Sequence, residues 1–203
     1  MKKIFVLTGK SCSGKDTIAK EISRIYNLPV IVNYTSRPAR EGEKNGESYN
    51  FTTMSKLLSE HEKGDMVAVT RYVVANNDVW YYGTKKEDIE KHDYSVIILN
   101  PEGAEELKKE YGDKVCVMYL NASIITRFSR YSAREKLDDD KLLECFRRFL
   151  ADEKDFTHHE YDYMFDTNSS SPLLNLSRIT SAIMSEVIKD AIKVDSSVAD
   201  FSK

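Results

Sequence analysis

The stretch Gly9-Lys10-Ser11-Cys12-Ser13-Gly14-Lys15-Asp16-Thr17 constrains this chain more than any other. It follows Lys3-Ile4-Phe5-Val6-Leu7-Thr8, a short apolar run rich in strand formers, and precedes Thr17 to Tyr26, whose apolar residues recur at helical spacing. Strand, glycine-bounded loop and helix form the context in which a P-loop binds phosphate. Gly9 and Gly14 let successive backbone N–H groups turn inward toward phosphate oxygens. The helix that follows adds its positive N-terminal end. Lys15 supplies a mobile cation for β- and γ-phosphates. The strict pattern continues with Ser or Thr as a Mg²⁺ ligand, whereas Asp16 stands there in this chain, with Thr17 next. Asp16 fits either a Mg²⁺ ligand, because hard cations prefer oxygen, or a first-turn carboxylate favoured by the helix dipole. Thr17 suits a hydroxyl contact to an α-phosphate, and Cys12 reads as loop filler whose thiol a helix N-terminus could acidify.

The 203 residues suit one α/β domain with small insertions. A formal net charge of −3 gives no global attraction for nucleic acid or an anionic membrane, so any anion site must be a local cluster of Arg and Lys. Cys12, Cys116 and Cys145 are odd in number and unpaired in spacing, which points to a reducing, cytoplasmic setting rather than a disulfide framework. The apolar run after Met1-Lys2-Lys3 is too short for a leader, and no stretch approaches the ~18 apolar residues of a membrane span.

Along the chain the periodicities predict a helix from Gly14 to Tyr26, a strand over Pro29–Asn33, and a polar, turn-rich stretch from Tyr34 to Phe51. A short helix over Thr53–Glu62 follows. Strands over Met66–Tyr72 and Val73–Tyr82 then pair around Asn76-Asn77-Asp78. An α/β rhythm resumes: helix Lys85–Lys91, strand Tyr94–Leu99, helix Pro101–Tyr111 and strand Val115–Leu120. Next come helices from Ser123 to Lys136 and from Asp138 to Phe156, a strand from Tyr161 to Thr167, a helix from Pro172 to Lys193, and a tail from Asp195. Strands alternating with helices imply a parallel sheet covered on both faces, with ligands beyond the strands' carboxyl ends.

A second anion site suggests itself in the turn-rich stretch. Arg37 and Arg40, three apart and held by Pro and Gly turns, can fork onto one phosphate, with hydroxyls from Tyr49 and Tyr82 on the same group. Equally, the arginines could pair with Glu41 and Glu43 in a solvated loop. Over Thr35-Ser36-Arg37-Pro38-Ala39-Arg40-Glu41-Gly42-Glu43-Lys44-Asn45-Gly46-Glu47-Ser48-Tyr49-Asn50-Phe51 the chain resembles guanylate kinases, whose loop runs Thr-Thr-Arg-x-Pro-Arg-x-Gly-Glu-x-x-Gly-x-x-Tyr-x-Phe. Tyr81-Tyr82-Gly83 matches the family's Tyr-Tyr-Gly. The resemblance implies a P-loop kinase core over 1–33 and 84–192, a small α+β monophosphate-binding insert over 34–83, a helical lid near 127–140, and a flexible tail over 193–203. It implies phosphoryl transfer from Mg·ATP to a nucleoside monophosphate held by Arg37, Arg40, Tyr49 and Tyr82, with Glu43 orienting the arginines. Gly9 to Thr17 and, after the last strand, Asn168 would hold ATP.

Three departures touch the base. The family's base-reading Glu falls near Ala68, its Ser at Asn33, and its Asp-x-Asp at Ile98-Leu99-Asn100, which leaves one amide and no carboxylate; by the resemblance Asn33 and Asn100 still stand among the acceptor-binding residues. The phosphate-holding half of the acceptor site is therefore intact and the guanine-reading half altered. A kinase for another (deoxy)nucleoside monophosphate and an inactive binding domain of the same fold are the alternatives. The latter is disfavoured by the surviving Lys15 and both glycines.

Arg127, Arg130 and Arg134 lie three and four apart, on one helical face, with Arg148 on the next helix. Cations closing from a lid could stabilise the transferring phosphoryl group and exclude water. The other expectation is a solvated basic face paired with Glu135 and Asp138–Asp140. No general base is required, because the acceptor is already anionic. His158-His159-Glu160 reads as exposed polar residues. The partners expected are small-molecule nucleotides, with no nucleic acid or membrane, in a monomer or homodimer; the cofactors are ATP and Mg²⁺.

Overall fold

The computed structural model describes residues 3–40, 42–73, 78–168 and 171–199. Five strands form a parallel sheet in the order β2-β7-β1-β8-β9: β1 (Lys3–Thr8), β2 (Val30–Ile31), β7 (Tyr94–Ile98), β8 (Val115–Asn121) and β9 (Tyr163–Asp166). The central strand is β1, and all six of its residues are buried. Its alternate side chains enter opposite faces. Ile4 and Val6 pack with Ile97, Leu107 and Val117 on one side. Phe5 and Leu7 pack with Ile18, Ile22, Met118 and Ile179 on the other. Each such side chain contributes about 1.5–3 kcal/mol by leaving water, and together they fix where β1 ends and the loop at Gly9 begins.

A second, four-stranded sheet has the order β4-β3-β6-β5, from β3 (Tyr34–Thr35), β4 (Asn50–Phe51), β5 (Met66–Val73) and β6 (Val79–Lys85). The two-residue strands β3 and β4 lie at the ends of the turn-rich stretch and carry no periodic signal of their own. Val73 closes β5 rather than opening β6, and β6 runs on to Lys85. The Asn76-Asn77 part of the expected turn lies outside the described residues. The register of β5 against β6 shifts between Val67 and Thr70, where Ala68 takes a left-handed φ of 53°. Val67 and Ala68 thereby enter the same core cluster as Ile4 and Ile97, which seats this sheet on the larger one.

The helices are α1 (Lys15–Tyr26), α2 (Met54–Glu62), α3 (Lys86–Glu90), α4 (Pro101–Tyr111), α5 (Ile124–Arg134), α6 (Asp139–Asp155) and α7 (Pro172–Ala199). Thr53, Asn100, Ser123 and Asp138 cap α2, α4, α5 and α6 through their side chains. α1 differs: Gly14 stands at its N-cap and, among the described residues, no side chain caps the first turn, which leaves those amides for another partner. α7 continues to Ala199, past the Lys193 expected, because Val194 to Ala199 contains neither Gly nor Pro to stop it; residues 200–203 of the expected tail lie outside the described residues. Among the described residues no helix is long and apolar enough to cross a membrane.

The start of β1 is tied to α7 by charge. Lys3 Nζ donates to Glu186 at 2.7 Å and to Asp190 at 3.3 Å, and Tyr163 Oη donates to Glu186 at 2.7 Å. Burial alone would raise the Glu186 carboxyl, but the hydrogen bonds from Lys189, Lys3 and Tyr163 outweigh it and hold the group down at about 2. A depressed carboxyl contributes stability that is fully present above its unfolded value near 4.5 and lost as pH falls toward 2. The urea midpoint is therefore expected to fall between pH 5 and pH 2.5 in the wild type, and to fall less steeply in Glu186→Gln. Equal slopes would remove this role of Glu186.

Candidate active site

β1 ends beside the carboxyl ends of β7 and β8, with Leu7 opposite Ile98 and Thr8 opposite Tyr119. The loop that follows is built by close approach. A Cβ on Gly9 would stand 2.4 Å from Ser13 Oγ and 2.7 Å from the Leu120 carbonyl, and φ there is +155°. Cys12 and Gly14 also take positive φ, of 62° and 104°. The chain thus curls around Lys15, whose Nζ donates to the carbonyls of Gly9 at 2.5 Å and Lys10 at 3.2 Å. Burial lowers the Lys15 pKa below its ordinary value. The Ser13 hydroxyl is buried and has no hydrogen-bond partner among the described residues. Asp16 and Thr17 sit exposed in the first turn of α1, and no hydrogen bond or ion pair among the described residues engages the Asp16 carboxylate. This donor set fits a phosphate chain with a hard divalent cation at its edge.

α5 and α6 lie against the loop, but not as a free basic face. Arg127 is 1% exposed: its guanidinium donates to Asp152 at 2.9 Å and to Glu153 at 3.0 Å and lies 4.3 Å from the Phe149 ring centroid. It is thus neither a finger in the cleft nor a solvated cation, because α6 covers that part of the face. Asp152 also accepts from the Ser11 amide at 2.8 Å and from the Ser11 hydroxyl, and Lys10 pairs with Glu153. The Arg127 cluster therefore shapes the loop from outside. Arg127→Ala should lower unfolding free energy by about 3 kcal/mol, as Asp152 loses its buried partner; a urea midpoint equal to wild type would contradict this.

Arg130 donates to the carbonyls of Cys12 at 3.3 Å, Ser13 at 3.1 Å and Thr167. Arg134 reaches Cys12 Sγ at 3.4 Å and lies 4.0 Å from Glu135. Arg148 is half-buried, its charge acts on Lys15, and it has no hydrogen-bond or ion-pair partner among the described residues. Asp152 and Glu153 escaped the sequence reading; the available signal was that Asp152 follows Arg148 by four residues on one helix face.

On the acceptor side Arg37 is buried, 3% exposed, and grips Glu43 with two bonds of 2.8 Å. Glu43 also accepts from the Arg40 amide at 2.7 Å. The Arg37 hydrogen bond holds the Glu43 carboxyl below its ordinary value. Arg37 and Glu43 do pair, as one of the two expectations had it, but in a buried clamp rather than a solvated loop. Glu41 lies outside the described residues, and the Arg40 side chain is exposed. The Arg37 guanidinium lies 5.2 Å from the Tyr49 ring centroid, and Tyr49 meets Tyr82 at 5.7 Å. Burial pushes the Tyr49 hydroxyl up to about 12, with Tyr82 and the Asp16 carboxylate adding to the shift, so it stays a donor at neutral pH.

Three amides expected at ligands make hydrogen bonds within the protein. Asn33 donates to the Ile98 carbonyl at 2.7 Å and accepts from Thr84 at 2.8 Å, joining the two sheets. The Asn100 oxygen accepts from the Gly103 amide at 2.9 Å while its nitrogen donates to Tyr72 Oη. Asn168 accepts from the Ser123 amide at 2.8 Å and from Thr126 Oγ1 at 2.9 Å, tying β9 to α5. Ala68 is 2% exposed and cannot offer a base an acceptor. His158 is exposed, but His159, expected to be so too, is half-buried among Tyr119, Phe156 and Tyr161 and hydrogen-bonded to Thr8 Oγ1 at 2.7 Å.

A parallel sheet flanked by helices, with a glycine-bounded loop and its lysine at the carboxyl end of the central strand, defines an α/β protein of the P-loop kinase class. The guanylate kinase family model matches residues 1–180. The guanylate kinase of Prochlorococcus marinus is 29% identical over 79% of this chain and 91% of its own, and that of Nitrosomonas europaea 24% identical over the whole of both. The crystal structure of guanylate kinase from Anaplasma phagocytophilum superposes with a TM-score of 0.65 at 19% identity, over 91% of this chain and 85% of that one, a likeness of fold. The chain belongs to the guanylate kinase family.

Proposed function

We propose that this member of the family transfers the γ-phosphoryl group of ATP to GMP or dGMP in the cytoplasm, with residues 34–83 holding the acceptor. The observation that carries the reading is the pairing of two anion grips: the Lys15 loop at the carboxyl end of β1, and Arg37 with Tyr49 and Tyr82 on the smaller sheet, which Asn33 ties to the carboxyl end of β7 beside β1. Loop amides from Gly9 to Thr17, with Lys15, bind the donor's phosphates, and Arg148 adds a cation beside Lys15. Arg130 serves by bracing the backbone of Cys12 and Ser13. Arg37, set by Glu43, orients the acceptor phosphate, and Arg40 closes on it from solvent. Transfer through a loose, charge-dispersed transition state needs position and cations rather than a base. Asp16 would hold Mg²⁺, which when bound neutralises phosphate charge. The support is the family relationship together with this donor geometry. The test is a coupled assay with Mg·ATP over the ribo- and deoxyribonucleoside monophosphates. GMP or dGMP is expected to give the highest kcat/KM; no turnover with any of them would overturn the reading.

A further inference from the structure

Ala68 is buried and Asn33 bonds to both sheets, which turns attention to other groups for reading the acceptor base. A line of aromatic rings leads away from the Arg37 clamp. From the Arg37 clamp it passes to Tyr49, then to Tyr82, and then to Tyr72 on β5, whose ring meets Tyr82 edge-on at 5.4 Å and 86°. The line ends on Asn100, the cap of α4, at the carboxyl end of β7. A monophosphate gripped at Arg37 with its base on the Tyr82 side would meet Tyr72 next.

We propose that Tyr72 determines specificity in the reaction inferred above, donating its hydroxyl proton to a keto oxygen of the acceptor base. The hydrogen-bond assignment follows from the backbone. The Gly103 amide can only donate, so the Asn100 atom facing it, at 2.9 Å, is the oxygen. The Asn100 nitrogen then faces Tyr72, and the phenol oxygen accepts. One in-plane side of that oxygen is thus occupied, and the phenol's own hydrogen points to the other. Burial raises the Tyr72 pKa, and the charges of Asp155 and Glu102 add to the shift, so the proton stays in place at neutral pH. The two carboxylates also give this end of the site a negative field, which suits a base carrying N–H beside its keto group, as guanine does. Adenine would set its amino group against the Tyr72 proton, donor against donor. A site built around one hydrogen bond rejects a base that cannot make it.

The test compares GMP with AMP in wild type, Tyr72→Phe and Asn100→Asp, by kcat/KM with Mg·ATP and by calorimetric binding of each monophosphate alone. Tyr72→Phe keeps the ring and its contact with Tyr82. It should lower kcat/KM for GMP about 10- to 100-fold, mostly in KM, and leave AMP within about twofold. Asn100→Asp keeps an oxygen for Gly103 but draws the phenol proton onto itself, and should likewise collapse the GMP:AMP ratio. An unchanged ratio in Tyr72→Phe, or equal losses for both nucleotides, would overturn the proposal. Absence of turnover in the wild type overturns only the functional reading, because the binding ratio still decides the role of Tyr72.

Discussion

Lys15→Ala should retain the fold and lose about 10³-fold or more in kcat. The ammonium sits under the loop on the carbonyls of Gly9 and Lys10, in surroundings that disfavour its charged form. A charge kept where burial opposes it does not stabilise the chain, so its removal should leave the thermal midpoint within about a degree or raise it. The cost falls on the reaction, where negative charge gathers on the oxygens in transfer and a preplaced donor is worth about 10²–10³-fold even when neutral. Turnover measured with a coupled ADP assay, beside a melting curve, separates the two effects. Activity within tenfold of wild type would remove Lys15 from the donor grip.

Arg37→Ala should act on both substrate and fold. Arg37 supplies a fork whose one edge is committed to Glu43 and whose face lies near Tyr49 and Phe51, with centroids at 5.2 and 5.7 Å. Without it, KM for GMP should rise about 100-fold, and unfolding free energy should fall by about 3 kcal/mol, because Glu43 keeps its charge and loses its partner. The double variant Arg37→Ala/Glu43→Ala isolates the functional part: stability should largely return while KM stays high. Arg37→Lys should fall between, since an ammonium restores charge without the planar fork. A KM for GMP within twofold of wild type in Arg37→Ala would end the acceptor assignment.

The residues that were legible in advance are those whose geometry is decided locally. Gly9, Gly14 and Lys15 sit between a strand and a helix of unambiguous period, and the positive φ at both glycines is a property of the loop itself. Arg37 and Glu43 are six residues apart in one loop, so their pairing was visible as an alternative. What escaped depends on contacts between distant segments. An asparagine at a strand end looks the same whether it meets a base or a carbonyl 65 residues away, as Asn33 meets Ile98. Spacing placed Arg127 on one face with Arg130 and Arg134, but only the packing of α6 decides that Arg127 is enclosed and Arg134 is not. The left-handed turn at Ala68, in a residue that rarely adopts it, is set by the β5–β6 register rather than by composition.

The central claim is that two facing grips pass one phosphoryl group from nucleotide to nucleotide. The most direct measurement is ³¹P NMR of the purified protein with Mg·ATP and GMP, following every phosphorus species over time. ADP and GDP should appear in equal amounts as ATP and GMP disappear, with no inorganic phosphate beyond background. ADP accumulating with inorganic phosphate while GMP persists, or ATP remaining intact, would contradict it.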